Sequence, residues 1–365
     1  MFAYKGNNDL TWESTSSFNF GLDFNIANII EGEFEYFNNT TFDMLYMKQV
    51  APSLGYASYA VNDGKIRNAG IEFALKWHAI RSKDFKFDVR LNGSHYVNKM
   101  LEMPIDDTTG KAKPYEIHGA YAWSEGHSIY DFYMREYAGV DPQTGYALYN
   151  QYYNVKADGT RELITNMESY KADNTIETLE VEKTSDYSEA TLKYVDESAV
   201  PVLTGGFGFD LYWKGLEFNS TFTYGLGGKA YDYVYATLMG DNSAGSYNWH
   251  EDIESRWQKP GDVTDVPGLF GGAADYSSYA NATSTRFLTS RSYLNLANVR
   301  IGYTLPQKWF TNTPIKKLHV YVTGDNLFVI SARKGFVSMS SVSGSSDRSH
   351  YLPVSTIMGG IKVEF

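Results

Sequence analysis

The sequence predicts an all-β protein, an antiparallel up-and-down transmembrane β-barrel. Three observations predict it. Apolar residues fall at every second position in several segments, the signature of a strand with one apolar and one polar side. Those segments run to about ten residues or more, and at ~3.3 Å per residue with a ~45° tilt this spans the ~25 Å apolar band of such barrels. The connections alternate short and long, and the last segment ends on an aromatic, Phe365. Alternation alone leaves two readings open. In a soluble sandwich the apolar face is the core, and in an outer-membrane barrel it meets lipid. Strand length and connection pattern favour lipid.

Taken in order, the first strand covers Phe18 to Ile26, with Phe18, Phe20, Leu22, Phe24 and Ile26 on one face. A turn near Asn28 leads to a second strand, Glu31 to Asn38, and then to a Tyr- and Ser-rich stretch through Lys65. Ile71, Phe73, Leu75 and Trp77 alternate with polar residues, turn at Arg81–Asp84, and return through Phe85, Phe87, Val89 and Leu91, the clearest hairpin of the first half. Residues 100–127 read as a loop. Ser128 to Ala138 and Gly145 to Tyr153 read as a further strand pair, followed by a charged excursion over 155–199 with room for a short helix. Gly205 to Trp213 turns at Lys214-Gly215 into Leu216 to Tyr224. After the longest excursion, 229–285, three strands close the chain. The first of them places Ala297, Val299, Ile301, Tyr303 and Leu305 on one face. The second places Leu318, Val320 and Val322 opposite His319, Tyr321, Thr323 and Asp325. The last, about 354–365, places Ile357, Gly359, Ile361, Val363 and Phe365 opposite Lys362 and Glu364. This makes about eleven strands in an up-and-down order.

Composition narrows the function. No run of ~18 apolar residues exists, so no transmembrane helix is expected. Aromatics are abundant, with 30 Tyr, 21 Phe and 7 Trp, which suits interfacial girdles and equally a sugar- or peptide-binding surface. The net charge of -11 argues against nucleic acid as a partner. With no cysteine there is no disulfide, thiolate metal site or cysteine nucleophile. Met1 to Gly6 shows no signal-peptide pattern.

Motifs of catalysis are weak throughout. Gly225-Leu226-Gly227-Gly228-Lys229 lacks the spacing of a phosphate loop and reads as a strand-end turn. His78, His95, His118, His127, His250, His319 and His350 form no i,i+4 pair, so neither a metal site nor a cofactor is expected. Asp106-Asp107 and Glu251-Asp252 lie in loops with nothing to place them across a scissile bond. No catalytic residue emerges, and the chain is not expected to be an enzyme. Aromatic residues of the long connections carry more: Tyr56, Tyr59, Tyr121, Trp123, Tyr247, Trp249 and Trp257. Aromatic platforms bind sugar faces or peptide side chains, and packing among loops is the plain alternative.

Several motifs in order resemble the SusC/RagA family of TonB-dependent outer-membrane transporters. They are Asn68-Ala69-Gly70-Ile71-Glu72, Gly126-His127-Ser128-Ile129-Tyr130-Asp131-Phe132-Tyr133 and Gly139-Val140-Asp141-Pro142-Gln143-Thr144-Gly145. Further on come Arg291 to Val299, Gly302-Tyr303-Thr304-Leu305-Pro306, Val322 to Phe328, Tyr351-Leu352-Pro353 and the terminal Phe365. The resemblance implies a barrel of about 22 strands around a plug, of which residues 1–365 would be the C-terminal portion, with plug, signal peptide and TonB-contacting segment absent. Long extracellular loops are then expected at about 39–65, 100–127, 155–199 and 229–285. The implied function is import of oligosaccharides or peptides with a SusD-like surface lipoprotein and TonB, in contact with outer-membrane lipid. Under it Tyr121, Trp123, Tyr247, Trp249 and Trp257 become candidate ligand or partner contacts, and Ile361, Val363 and Phe365 a barrel-assembly strand. The polar faces, including Lys86, Asp88, Arg90, Glu217, Asn219 and Thr223, would line a wet lumen. A soluble or surface-attached β-rich carbohydrate- or peptide-binding protein, or a non-functional fragment, is the competing reading.

Overall fold

The computed structural model describes residues 2–49, 53, 55–106, 109–240, 248–270, 280–340 and 353–365. Nine of its strands build one antiparallel sheet: β1 (Ser14–Ile26), β2 (Ile30–Phe42), β3 (Lys65–Arg81), β4 (Phe85–Glu102), β5 (Leu203–Trp213), β6 (Leu216–Leu226), β7 (Tyr293–Thr304), β8 (Lys317–Ser331) and β9 (Thr356–Glu364). Each pairs with the next in the chain, the expected up-and-down meander. Among the described residues β1 and β9 pair on one side only, so the sheet is open.

Turn chemistry sets the hairpins at one end. Ala27 and Asn28 both have positive φ, as do Lys214 and Gly215. Two such residues in sequence match the right-handed twist of the strands they join. A Cβ on Gly215 would lie 2.7 Å from the Thr304 carbonyl oxygen, so glycine is required there. Between β3 and β4, Ser82 Oγ bridges both backbone groups of Phe85 at 3.0 Å. The connections at the opposite end are long: 43–64, 103–202, 227–292 and 332–355.

Register carries one apolar face across the whole sheet. Phe20 faces Tyr36 and then Ile71, while Leu91 faces Phe207, Phe222, Leu296 and Phe328 in turn. This face is open, with Phe18 61%, Ile301 53% and Ile361 70% exposed. Each such side chain left in water forgoes about 1.5–3 kcal/mol of burial. A sheet carrying them on every strand is unsustainable in water and suited to hydrocarbon. The competing soluble reading needs these faces packed against each other, and they are not.

The packed core lies elsewhere, in the long connections. Phe132, Met134, Tyr231, Met239, Ile253, Val266 and Phe287 come from the β4–β5 and β6–β7 connections and form one buried cluster. Here two expectations are corrected. The strand pair expected over 128–153 belongs to this cap and not to the wall. Asp131–Arg135 pairs with Leu192–Ser198, and Ala147–Val155 pairs with Tyr137–Val140, Arg161–Ile164 and Thr178–Thr184. A small sheet buried on one face alternates like a lipid-facing strand, so period alone cannot separate them. The second correction is in β7. A bulge at Ala297 shifts the register, so Leu294 and Leu296 join Val299 and Ile301 on the apolar face. The short helix allowed for in 155–199 is α1 (Met167–Asp173), capped by the Asn166 side chain.

Candidate functional site: the polar wall and its cap

The second face of the sheet is polar by the same register. Lys86 faces Tyr212, which in turn faces Glu217; Asp88 faces Asp210, which in turn faces Asn219; Thr223 faces Gly206 and Asn295. All six expected lumen residues therefore share one side. A hydrogen-bonded belt runs over it. His78 is fixed between two carboxylates, Nδ1 to Asp88 at 2.9 Å and Nε2 to Glu31 at 2.8 Å. Arg90 grips Asp210 through Nε at 2.7 Å and Nη2 at 3.3 Å, and Asn219 donates to the same carboxylate at 2.8 Å. Further along, Asn298 donates to Asp325 at 2.6 Å and the Arg300 guanidinium lies 4.0 Å over the Tyr321 ring. Cavities of about 700 and 490 Å³ open beside this belt, lined by Asp23, Glu33, Asn92 and neighbouring residues. Paired charges facing an open concavity fit a wet surface, since an unpaired buried charge is expensive.

The motif around Gly126 is what fastens the cap to the wall. Met100 at the end of β4 exchanges backbone hydrogen bonds with Gly126 and His127. Asn98 donates to Asn68 at 2.8 Å, and its oxygen accepts from Ser128 Oγ and the Ile129 amide, each at 3.0 Å. The His127 ring lies parallel to Tyr194 at 3.7 Å. Burial pushes the Tyr194 hydroxyl up to about 12, and it bonds Ser124 at 2.7 Å. Burial would raise Glu136 too, but hydrogen bonds from Tyr152, Asn150 and Lys193 prevail and hold its carboxyl below the ordinary range.

The expected aromatic contacts divide by what holds them. Tyr121 lies 4.8 Å from Phe132 at the edge of the cap core. Trp123 stacks on His118 at 4.0 Å. Trp257 packs on Gly145 and donates its indole N–H to the Pro142 carbonyl at 3.0 Å. Trp249 is 39% exposed and donates to the Gly240 carbonyl at 3.0 Å. Tyr247 lies outside the described residues. The structure does not bring them to one patch of the sheet; they are spread over the two large connections. Ile361 and Val363 lie on the apolar face of β9, opposite Val320 and Leu318, and Phe365 follows at 72% exposure. Sequence reasoning passed over the buried tyrosines Tyr133, Tyr149 and Tyr231 that carry the cap. Tyr133 and Tyr149 alternate as a wall strand does, and Tyr231 sits in a stretch whose sequence shows no strand period.

An open sheet that is apolar on one side and charged on the other, with a folded cap at the long-connection end, is a section of outer-membrane β-barrel wall. No family model matches the chain. Among curated proteins it is 26% identical over 336 residues to TonB-dependent receptor P3 of Formosa agariphila, covering 90% of this chain and 31% of that protein. It is 24% identical over 375 residues to TonB-dependent receptor SusC of Bacteroides thetaiotaomicron, covering 98% and 32%. Among solved structures it superimposes on the RagAB peptide transporter with a TM-score of 0.78 at 27% identity, over 99% of this chain and 36% of that one. The chain is thus similar to TonB-dependent outer-membrane receptors of the SusC/RagA type. It spans about a third of the length of the relatives it matches.

Proposed function

We propose that this chain is the C-terminal section of the barrel and external mouth of an outer-membrane importer. The importer takes up oligosaccharides or peptides with a SusD-like surface lipoprotein, and energy reaches it through TonB. One observation carries this reading: the register places every apolar ladder on one side of nine strands and every charged ladder on the other. An import channel needs lipid outside and water inside, and a sheet with one apolar and one charged face supports that use. The long connections are then extracellular loops, and the strand bearing Ile361, Val363 and Phe365 is the signal for barrel assembly. Tyr121, Trp123, Trp249 and Trp257 of the cap, together with Tyr247, are ligand or lipoprotein contacts. The relatives bear on this through their names, which include a TonB-dependent receptor SusC and a peptide transporter. The test is nutrient uptake by cells with and without the complete gene, and with and without TonB. Loss of uptake of an oligosaccharide or peptide in both deletions is expected. Unchanged uptake and growth on every such nutrient in both strains overturns the reading.

A further inference from the structure

The cap contains a strand whose outer edge is bare. Thr178–Thr184 pairs along one side with Ala147–Val155, from Thr178 opposite Val155 to Thr184 opposite Tyr149. Among the described residues nothing pairs with its other side. Six of its seven residues are exposed, including Leu179 at 46% and Val181 at 55%. Proteins ordinarily guard such edges with free charges, because a row of unpaired N–H and C=O groups is a template for another strand.

Here the charges are tied back. Arg161 holds Glu180 at 3.1 Å and Glu182 at 2.7 Å. Lys183 reaches back across Ala147–Val155 to the Ala138 carbonyl at 2.9 Å. What the edge offers is its backbone, with Leu179 and Val181 side by side on one face.

We infer that Thr178–Thr184 is a capture edge for extended oligopeptides, which add to the cap as a further strand. Only a polypeptide repeats a donor and an acceptor at the ~3.3 Å spacing of this edge. An oligosaccharide does not. Recognition through main-chain groups tolerates many sequences, with alternate apolar side chains resting on Leu179 and Val181. The inference rests on the import reading and deepens it, by choosing peptide over sugar at this site.

The test uses the complete transporter in detergent and a heptapeptide of alternating threonine and valine. Two copies of that peptide are N-methylated, one at every valine and one at every threonine. Only one edge of the peptide meets the strand, so one methylated copy should bind about tenfold more weakly and the other like the parent. Leu179→Ser with Val181→Ser should weaken the parent peptide by about tenfold while leaving thermal stability unchanged. Equal binding of all three peptides, or full binding by the variant, overturns the inference. So does binding of maltohexaose but not peptide, which leaves import standing. If the variant loses only the surface lipoprotein, the edge serves a protein partner and the inference fails. Unchanged uptake of every oligosaccharide and peptide on gene deletion would instead remove the import reading itself.

Discussion

Gly145 ends the turn that begins at Asp141, and its φ of +75° lies in the left-handed region. The Asp141 carboxylate accepts from the Gln143 amide at 2.9 Å and the Thr144 hydroxyl at 2.8 Å, which holds it well below the usual carboxylate range. A Cβ on Gly145 would lie 2.3 Å from the Trp257 ring. Gly145→Ala therefore meets two costs, ~1–2 kcal/mol for the left-handed backbone and ~1–3 kcal/mol for overpacking. Gly159, at +84° with open space around it, meets only the first. The expected result is a larger drop in unfolding midpoint for Gly145→Ala than for Gly159→Ala, with a red shift of Trp257 emission in the former alone. Glu136 gives the second residue-scale prediction. Its folded value lies below the ordinary 4.5, so its stabilisation is complete above that value and is lost as pH falls through the depressed one. Acidification should loosen the sheet around Tyr152, read by amide exchange in the cap, and Glu136→Gln should flatten that dependence. An unchanged acid profile in the glutamine variant would remove Glu136 as the cause.

Elements show how far the sequence could be read. The short-turn hairpins were legible because their signals are local: Asn28 and Lys214-Gly215 allow positive φ, and alternation resumes at once on either side. The Gly126–Tyr133 and Gly139–Gly145 motifs were visible as motifs, but not what they hold. Their partners, Asn98 and Trp257, are distant in the chain. The alternation over Gly145 to Tyr153 predicts a wall strand, but the strand found there, Ala147–Val155, lies in the cap, because burial at every second residue looks alike against protein or lipid. Bulges were invisible for a related reason, since one extra residue inverts the face of everything beyond it. The bulge at Ala297 is opposed on β8 by Asn326, whose φ is +49°. Asparagine tolerates that region and β-branched residues do not. Asn326→Val should lower the stability of the folded barrel by about 1–2 kcal/mol, while Asn326→Gly should be close to neutral. Heat-modifiable migration of the purified protein on gels measures both. Equal midpoints for valine and glycine would mean the bulge relaxes when its residue changes.

At the scale of the molecule, the question is which side of β4 meets lipid. Leu91 and Ser94 lie three residues apart on this strand, on opposite faces. Leu91 continues the apolar ladder from Leu75 to Phe207. Ser94 lies on the polar face and donates to Glu72 at 2.9 Å. A lysine at the middle of a lipid face costs ~2–4 kcal/mol, whereas a lumen substitution is nearly free. Leu91→Lys should therefore reduce folding into lipid vesicles by that amount, while Ser94→Lys finds Glu72 as a counter-charge and folds like the parent. The same pair separates lipid from water without any reference to stability in detergent. A lysine at 91 in a lipid-facing position resists amine-reactive labelling from the aqueous phase, and one at 94 accepts it. If the sheet were instead a soluble layer with an exposed apolar face, both lysines would label and neither would be destabilising. Reversed outcomes at the two positions would put lipid on the charged face, which the belt from Glu31 through His78, Asp88, Arg90 and Asp210 could not sustain.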